Sequence, residues 1–110
     1  MAGRSGISAS QVINLASLVD YQDGSVVSRQ ILEAEAGNVT LFAFDGGEQL
    51  SEHTTPFDAL VQVVDGQAEI RIAGKASLLG AGEIILMPAN VPHAVVARGR
   101  FKMLLTMLQV

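Results

Sequence analysis

His53 and His93 are the residues of this chain whose side chains point most directly to chemistry, and the sequence contains no other histidine. His53 lies just ahead of the apolar run ALVQVV, and His93 opens the run HAVVA after a turn at Pro88-Ala89-Asn90. An imidazole can bind a metal, transfer protons near neutral pH, or stay in a core with its nitrogens hydrogen-bonded. The residue type alone therefore leaves a metal site, a general base and a structural ring open.

The strand that follows His53 indicates which way that side chain points. Asp65-Gly66 is typical of a two-residue hairpin turn, which would pair Val61 with Ile70 across two strands. Cross-strand partners share a face, and so do residues two apart on one strand. This pairing defines one apolar, inward face that extends backwards towards the histidine. The face predicts a ligand pocket lined by Val61, Ala59, Phe57, Thr55 and His53, with His93 opposite.

Short apolar runs separated by turn residues make up most of the chain. Gly46-Gly47 and Ala73-Gly74 are two of several glycine-containing turns between runs rich in Val, Ile and Leu. Many short strands with regular turns and almost no helix are typical of an all-β sandwich or barrel. Asn14 can cap a short helical turn ahead of the strands. We expect a flexible tail over residues 1–10 and a single barrel domain over residues 11–110.

The composition excludes several classes of function. The 110 residues include no cysteine, which excludes disulfides, thiolate metal ligands and cysteine nucleophiles. A net charge of −4 with scattered basic residues argues against nucleic-acid binding. No apolar run reaches the roughly 18 residues that a membrane span needs. We therefore expect a cytoplasmic protein with a small-molecule ligand, and neither a nucleic-acid nor a membrane partner.

The low content of charged residues indicates self-association. Charged residues are 16% of the chain, against about 25% in an average soluble domain, and apolar residues reach 49%. In the run VTLFAF, Leu41 and Ala43 lie on one face of the strand, while Phe42 and Phe44 lie on the other. A barrel buries only one of these faces inside, and a large uncovered apolar face marks an interface. We therefore expect a homodimer.

The two histidine stretches together resemble the paired motifs of the cupin superfamily. The first family motif is G-x5-H-x-H-x3,4-E-x6-G, and the second is G-x5-P-x-G-x2-H-x3-N. In the second motif Asn90 replaces the glycine and Ala97 the asparagine. Asparagine tolerates positive φ better than most residues, so the turn at Asn90 is expected to keep its conformation. The matching residues are Gly47, His53 and Gly66 in the first motif and Gly82, Pro88 and His93 in the second.

The resemblance implies a double-stranded β-helix, or jelly-roll, barrel. In metal-binding cupins the ligands are both histidines and the glutamate of the first motif, plus the histidine of the second. Thr55 and Ala59 stand at two of these positions, so only His53 and His93 match. A catalytic zinc usually has three protein ligands, and a mononuclear iron oxygenase uses two histidines and a carboxylate. The resemblance therefore implies at most a weak, incomplete site for a divalent metal, with nickel, zinc, copper and iron all open.

Three functions remain open on these residues. We favour a protein that binds or senses a small molecule in the barrel. The alternative is an enzyme, a metal-dependent oxygenase or isomerase whose site is completed by the substrate or by a further ligand. The third is a purely structural dimeric barrel. Metal-free acid–base catalysis is disfavoured because it also needs an orienting acid and usually a tyrosine, and Tyr21, in the N-terminal segment, is the one tyrosine of the sequence.

Overall fold

Nine strands and one short 3-10 helix form residues 4–110, the part of the chain that the computed structural model describes. All strand pairs are antiparallel. The predicted all-β barrel with a short N-terminal helical turn is confirmed. The strands are β1 (Arg4–Ser5), β2 (Val26–Ala34), β3 (Gly37–Phe44), β4 (Gln49–His53), β5 (Phe57–Ile72), β6 (Lys75–Gly80), β7 (Ile84–Met87), β8 (His93–Val96) and β9 (Phe101–Gln109), and the helix is Leu15–Leu18.

The strands form two sheets that share β5. Sheet A has the order β1-β2-β3-β9-β5-β7, and sheet B has the order β6-β5-β8-β4. The first part of β5, up to Gly66, pairs within sheet A. The second part, from Gln67 onwards, pairs within sheet B. One strand therefore joins the two sheets, and its inward side chains contribute to both walls of the barrel.

The predicted hairpin at Asp65-Gly66 is wrong, because the chain continues through these residues as one strand. A β-bulge takes the place of the turn: Val63 pairs with Met103, whereas Asp65 pairs with Lys102, the adjacent residue of β9. The extra residue inverts the alternation of the side chains. The predicted inward face is nevertheless correct, since a hairpin and a bulge both shift the alternation by one residue. Its fully buried members are Val61, Val63, Ala68 and Ile70.

Two polar residues are buried among residues 5–110, Glu69 and His93. Glu69 follows the inward-facing Ala68 on β5, so its side chain lies on the outer face of sheet B. There Arg71 Nε donates a hydrogen bond to Glu69 Oε2 at 2.7 Å. Arg98 Nη2 lies 2.5 Å from Oε1 as an ion pair without hydrogen-bond geometry. The hydrogen bond from Arg71, helped by the charge of Arg98, holds the pKa of Glu69 below its usual range. His93 is therefore the buried polar group that belongs to the interior.

The N-terminal segment covers part of the outer face of sheet A. Val19 is buried there against Leu41 and Ala43, in a cluster that also includes side chains of the 3-10 helix. Asn14 Oδ1 accepts a hydrogen bond from Ser17 N and caps this helix, as the sequence predicted. The apolar face of β3 that the sequence left without a partner is thus covered in part by the same chain.

The predicted flexible tail divides into two parts. Residues 1–3 lie outside the part of the chain that the structure describes. Arg4–Ser5 forms β1, which pairs with Leu32 and Glu33 at the edge of sheet A, and Gly6 N donates a hydrogen bond to Ile31 O at 2.7 Å. From residue 4 onwards the segment is therefore hydrogen-bonded to the barrel.

Tyr21 fastens the N-terminal segment to the bulge of β5. Its hydroxyl donates a hydrogen bond to Asp65 Oδ2 at 2.5 Å, and Lys102 Nζ lies 5.0 Å from the centre of its ring. Burial, together with the hydrogen bond to Asp65, raises the pKa of Tyr21. Tyr21 therefore forms its side-chain contacts on the outer surface of the barrel, at the bulge.

Gly66 allows a direct test of the bulge. Its φ is +76°, and a Cβ atom there would lie 2.3 Å from the carbonyl oxygen of Arg100. Gly74 has a similar φ of +81°, but nothing lies within 4 Å of a Cβ placed there. We expect Gly66→Ala to lower the free energy of unfolding by about 3 kcal/mol or more, because steric overlap adds to backbone strain, and Gly74→Ala by about 1 kcal/mol from strain alone. Urea unfolding of both variants measures this, and equal losses would contradict the close packing inferred at the bulge.

Candidate functional site

The two imidazoles lie side by side at one end of sheet B. His53, the last residue of β4, is the cross-strand partner of His93, the first residue of β8. The ring centres are 4.4 Å apart and the ring planes make an angle of 67°. On its other side His93 pairs with Ile72, the last residue of β5. The histidines are thus neighbours, as the sequence predicted.

A second bulge turns His53 towards its partner. Leu50 pairs with Val95, and three residues later on β4 His53 pairs with His93, which is only two residues away from Val95 on β8. Strict alternation would place Leu50 and His53 on opposite faces of β4. The extra residue places both of them opposite inward-facing residues of β8. The alternation from Val61 back to His53 predicts an inward ring along a single strand, whereas the chain leaves β4 at His53 and enters β5 at Phe57.

The connection 88–92, between β7 and β8, is hydrogen-bonded to the residues that flank both ends of β5. Asn90 N donates a hydrogen bond to Thr55 O at 2.7 Å, and Ala73 N donates one to Pro92 O at 2.8 Å. Asp58 Oδ1 accepts a hydrogen bond from Ala89 N at 2.9 Å. Asn90 has a φ of +64°, as expected for the residue that replaces the family glycine. These contacts place His93 where the two ends of the long strand meet.

The two rings differ in burial. The His93 residue is 3% exposed, whereas His53 is exposed. The prediction that both rings lie inside the barrel is therefore wrong for His53, because β4 is the edge strand of sheet B and ends at this residue. The pair stands at the open end of the barrel, with one ring inside and one at the rim.

Both rings are oriented by a main-chain carbonyl two residues earlier. His53 Nδ1 lies 2.7 Å from Ser51 O, and His93 Nδ1 lies 3.2 Å from Val91 O. A carbonyl oxygen only accepts, so each Nδ1 carries the proton and each Nε2 of the neutral ring has a free lone pair. Neither Nε2 atom forms a hydrogen bond within the part of the chain that the structure describes. Neither atom is closed off from solvent as a buried atom without a partner. Both Nε2 atoms therefore remain available to a ligand.

Burial favours the neutral form of the inner ring. It lowers the pKa of His93, and the neighbouring His53 lowers it further, while the hydrogen bond to Val91 opposes both effects. The unprotonated Nε2 of His93 is therefore the dominant form near neutral pH.

The other residues of the predicted pocket divide between the rim and the core. Thr55 and Phe57 are half-buried, and the Thr55 hydroxyl donates to Phe57 O at 3.2 Å while accepting from Phe57 N at 3.3 Å. Ala59 and Val61 are buried in the apolar core between the two sheets, which we call the inner core. A ligand at the histidines would therefore contact Thr55 and Phe57 before it reached the deeper residues. That these residues line a pocket stays a prediction.

The donor set does not fit the four-ligand metal site of metal-binding cupins. The Thr55 hydroxyl is engaged by the main chain, and Ala59 offers no donor atom. Among the described residues, no group of three or more His, Cys, Asp or Glu side chains is arranged to hold a metal ion. Two imidazole nitrogens are fewer than the three protein ligands that a catalytic zinc usually has.

A groove of about 390 Å³ lies on the outer face of sheet A, away from the two imidazoles. It runs beside the β2–β3 hairpin and the end of β9, and its walls include Leu32, Val39 and Leu108. The sequence predicts a concave surface inside the barrel, and no pattern in it indicates this groove. None of the helices in residues 4–110 is long and apolar enough to cross a membrane.

Comparisons with known proteins agree with the fold and the two motifs. The family model described as "Cupin domain" matches residues 40–108. A conserved protein of unknown function from Streptococcus pyogenes is 31% identical, with 100% of this chain and 96% of that chain covered and a TM-score of 0.93. A cupin superfamily protein from Desulfitobacterium hafniense is 28% identical, with 96% and 97% covered and a TM-score of 0.90. The chain therefore belongs to the cupin family.

A cupin 2 conserved barrel domain protein from Leptotrichia buccalis is 40% identical over 88% of this chain, with a TM-score of 0.86. The match covers 47% of that protein, so this chain spans about half of its length. Among curated proteins, none matches the chain. The comparisons thus define the family and the fold, and the function has to be argued from the site.

The lowered pKa of His93 predicts a dependence of stability on pH. In the unfolded chain His93 has an ordinary pKa of about 6.5, so it takes up a proton at a higher pH than in the folded protein. The neutral His93 therefore contributes to the free energy of unfolding fully above the pKa of the unfolded chain. This contribution is lost as the pH falls from that value towards the lower pKa of the folded protein. We expect the free energy of unfolding to fall between about pH 7.5 and 5.5, and to fall less in His93→Gln. Urea unfolding across this range measures it, and an equal slope in both proteins would contradict the assignment.

Proposed function

We propose that this cupin binds a small, mainly apolar molecule at the open end of its barrel, and that His53 and His93 recognise a hydroxyl group of that molecule. One observation carries the proposal. Both Nδ1 atoms are held by main-chain carbonyls, which leaves the Nε2 lone pairs of two adjacent rings free to accept hydrogen bonds. Few polar groups in an otherwise apolar site are typical of small-molecule pockets.

The side chains that directly neighbour the pair favour an uncharged ligand. Ile72, the cross-strand partner of His93, is apolar, and the charged Lys75 lies one strand further along the same row of sheet B and is exposed. A carboxylate or phosphate ligand would need a cationic partner to offset the cost of leaving water. A hydroxyl needs only an acceptor, which a neutral imidazole provides.

Apolar side chains near the pair supply the remaining contact surface. Leu50 and Ile72 neighbour the histidines along β4 and β5, and both are partly buried against the inner core. Phe57 is half-buried at the start of β5. Together they offer an aliphatic and aromatic wall to a ring-sized ligand.

Phenol and toluene test the proposal because they differ only in a hydroxyl and a methyl group. We expect phenol to shift the NMR signals of both imidazoles and to bind about tenfold more tightly than toluene, since an unpaired hydroxyl or acceptor in a buried site costs about 1–3 kcal/mol. His53→Leu/His93→Leu removes both Nε2 acceptors, keeps apolar side chains at the two positions, and should remove most of this preference. Equal affinities for phenol and toluene in the wild-type protein, or no binding of either, would refute the proposal.

We also propose that two copies associate through an outer band on sheet A. Leu86, Leu60, Thr106, Val39 and Leu32 are successive cross-strand partners across β7, β5, β9, β3 and β2. The three leucines of this outer band are exposed. One end of the band is the ridge of Leu60 and Leu86, and the other borders the groove at Leu32. A twofold axis brings the ridge of each copy to the groove of the other.

Charge substitution in the ridge tests this association. We expect the wild-type protein to be a dimer at about 50 μM by light scattering, and Leu60→Glu/Leu86→Glu to be a monomer, because an apolar interface does not accommodate unpaired carboxylates. Val12→Glu is the matched control, since Val12 is 99% exposed and outside the outer band. A wild-type monomer, or a double variant that stays dimeric, would contradict this mode of association.

A further inference from the structure

Three charged residues on the outer face of sheet B take no part in the histidine site. We call Arg71, Glu69 and Arg98 the arginine clamp. Arg71 Nε lies 2.7 Å from Glu69 Oε2, and Arg98 Nη2 lies 2.5 Å from Glu69 Oε1. The Glu69 side chain is 1% exposed, whereas those of Arg71 and Arg98 are 51% and 71% exposed. Two guanidinium groups thus share one buried carboxylate, which leaves the clamp with an excess of one positive charge.

Glu69 holds two like charges next to each other. A buried ion pair contributes little more to stability than well-packed apolar side chains of the same volume, so the fold itself does not require a carboxylate here. Each oxygen of this carboxylate holds one guanidinium, and the two guanidiniums would otherwise separate because like charges repel. The carboxylate therefore positions both cations before any ligand arrives.

Most N–H donors of the two guanidiniums are unused by the protein. A guanidinium has five N–H donors in a planar fork. In the described part of the chain Arg71 donates one hydrogen bond, to Glu69, and the ion pair from Arg98 to Glu69 lacks hydrogen-bond geometry. Since both arginine side chains are about half exposed or more, the remaining donors are open to an incoming acceptor.

The neighbours of the clamp are apolar and mostly small. Ile70 points inward, so alternation places Glu69 and Arg71 on the face of sheet B that is turned away from the imidazoles. The cross-strand partners of Glu69 are Leu78 and Val96, and those of Arg71 are Ala76 and Ala94. Leu78 is 53% exposed. An anion that reaches the clamp therefore meets open apolar surface and no further carboxylate among these partners.

A phosphate group matches the clamp in charge and in shape. It carries close to two negative charges near neutral pH and has three acceptor oxygens, whereas a carboxylate has one charge and two oxygens. Arginine forks recognise such groups through parallel N–H bonds. We propose that Arg71 and Arg98, held in place by Glu69, bind the phosphate group of a small molecule on the outer face of sheet B. Free phosphate and an organic phosphate monoester share this chemistry.

Arg100 provides a matched control because its surroundings have the opposite balance of charge. It forms ion pairs with two carboxylates, those of Asp45 and Asp23, so this group has an excess of one negative charge. Arg98→Gln and Arg100→Gln lower the net charge of the protein by the same amount. A general attraction of anions would therefore weaken equally in both variants, whereas binding at the clamp would weaken only in Arg98→Gln.

Titration of the full chain with phenyl phosphate at low salt, followed by 1H–15N NMR of the arginine Nε–Hε groups, tests the proposal. We expect the Arg71 and Arg98 signals to shift in the wild-type protein, and the affinity to fall about tenfold or more in Arg98→Gln, because hydrogen bonds to charged groups are the strong ones. Arg100→Gln should stay within about twofold of wild type, since its arginine is already paired with two carboxylates.

Two further measurements make the result specific. Arg71→Lys keeps a positive charge beside Glu69, which preserves the ion pair, but removes the planar fork, and we expect the affinity for phenyl phosphate to fall about threefold or more. A parallel titration with inorganic phosphate identifies the source of the group. Tighter binding of phenyl phosphate indicates an organic monoester that also contacts Leu78, and equal affinities indicate free phosphate.

The proposal is overturned if neither arginine signal shifts at millimolar phenyl phosphate or phosphate, if Arg98→Gln binds like the wild-type protein, or if Arg100→Gln loses as much affinity as Arg98→Gln. It is independent of the proposed function, because the clamp and the imidazole pair lie on opposite faces of sheet B. The preference for phenol over toluene can therefore fail while phosphate binding stands, and the reverse also holds.

Discussion

A single strand, β5, pairs with β6, β7, β8 and β9 and so belongs to both walls of the barrel. A bulge at Val63–Asp65 and the positive φ of Gly66 let the strand pass from sheet A to sheet B. The extra residue of the bulge also shifts by one position which side chains of β5 point inward. Its two ends are then fastened by the same connection between β7 and β8. Every position in the candidate site depends on that closure, since His93 begins where this connection ends.

The site obtains its chemistry from short local contacts. Each imidazole is oriented by a carbonyl oxygen two residues earlier, so no distant side chain is needed to fix the tautomer. Burial then keeps His93 neutral. With Thr55 and Ala59 in place of a histidine and a glutamate, the family's charged ligand set becomes a neutral one, which favours ligands that bring a hydroxyl group.

The fold and the proximity of the histidines were predictable because they follow from turn residues, alternation and two spaced motifs. The inward face around Val61 was predicted correctly from a hairpin that does not exist, since alternation cannot distinguish a turn from a bulge. The exposure of His53 could not be predicted, because it depends on which strand lies at the edge of sheet B. The cover that Val19 provides for Leu41 depends on a tertiary contact across many residues, which local patterns do not encode.

The pair of free Nε2 atoms can be observed directly by long-range 1H–15N NMR, which distinguishes the two nitrogens of each imidazole. In the ligand-free protein near pH 7.5, we predict that His53 and His93 both appear as the neutral tautomer with the proton on Nδ1 and an unprotonated Nε2. A proton on Nε2 of His93, with Nδ1 unprotonated, would contradict the orientation by Val91 and remove the acceptor on which the hydroxyl recognition depends.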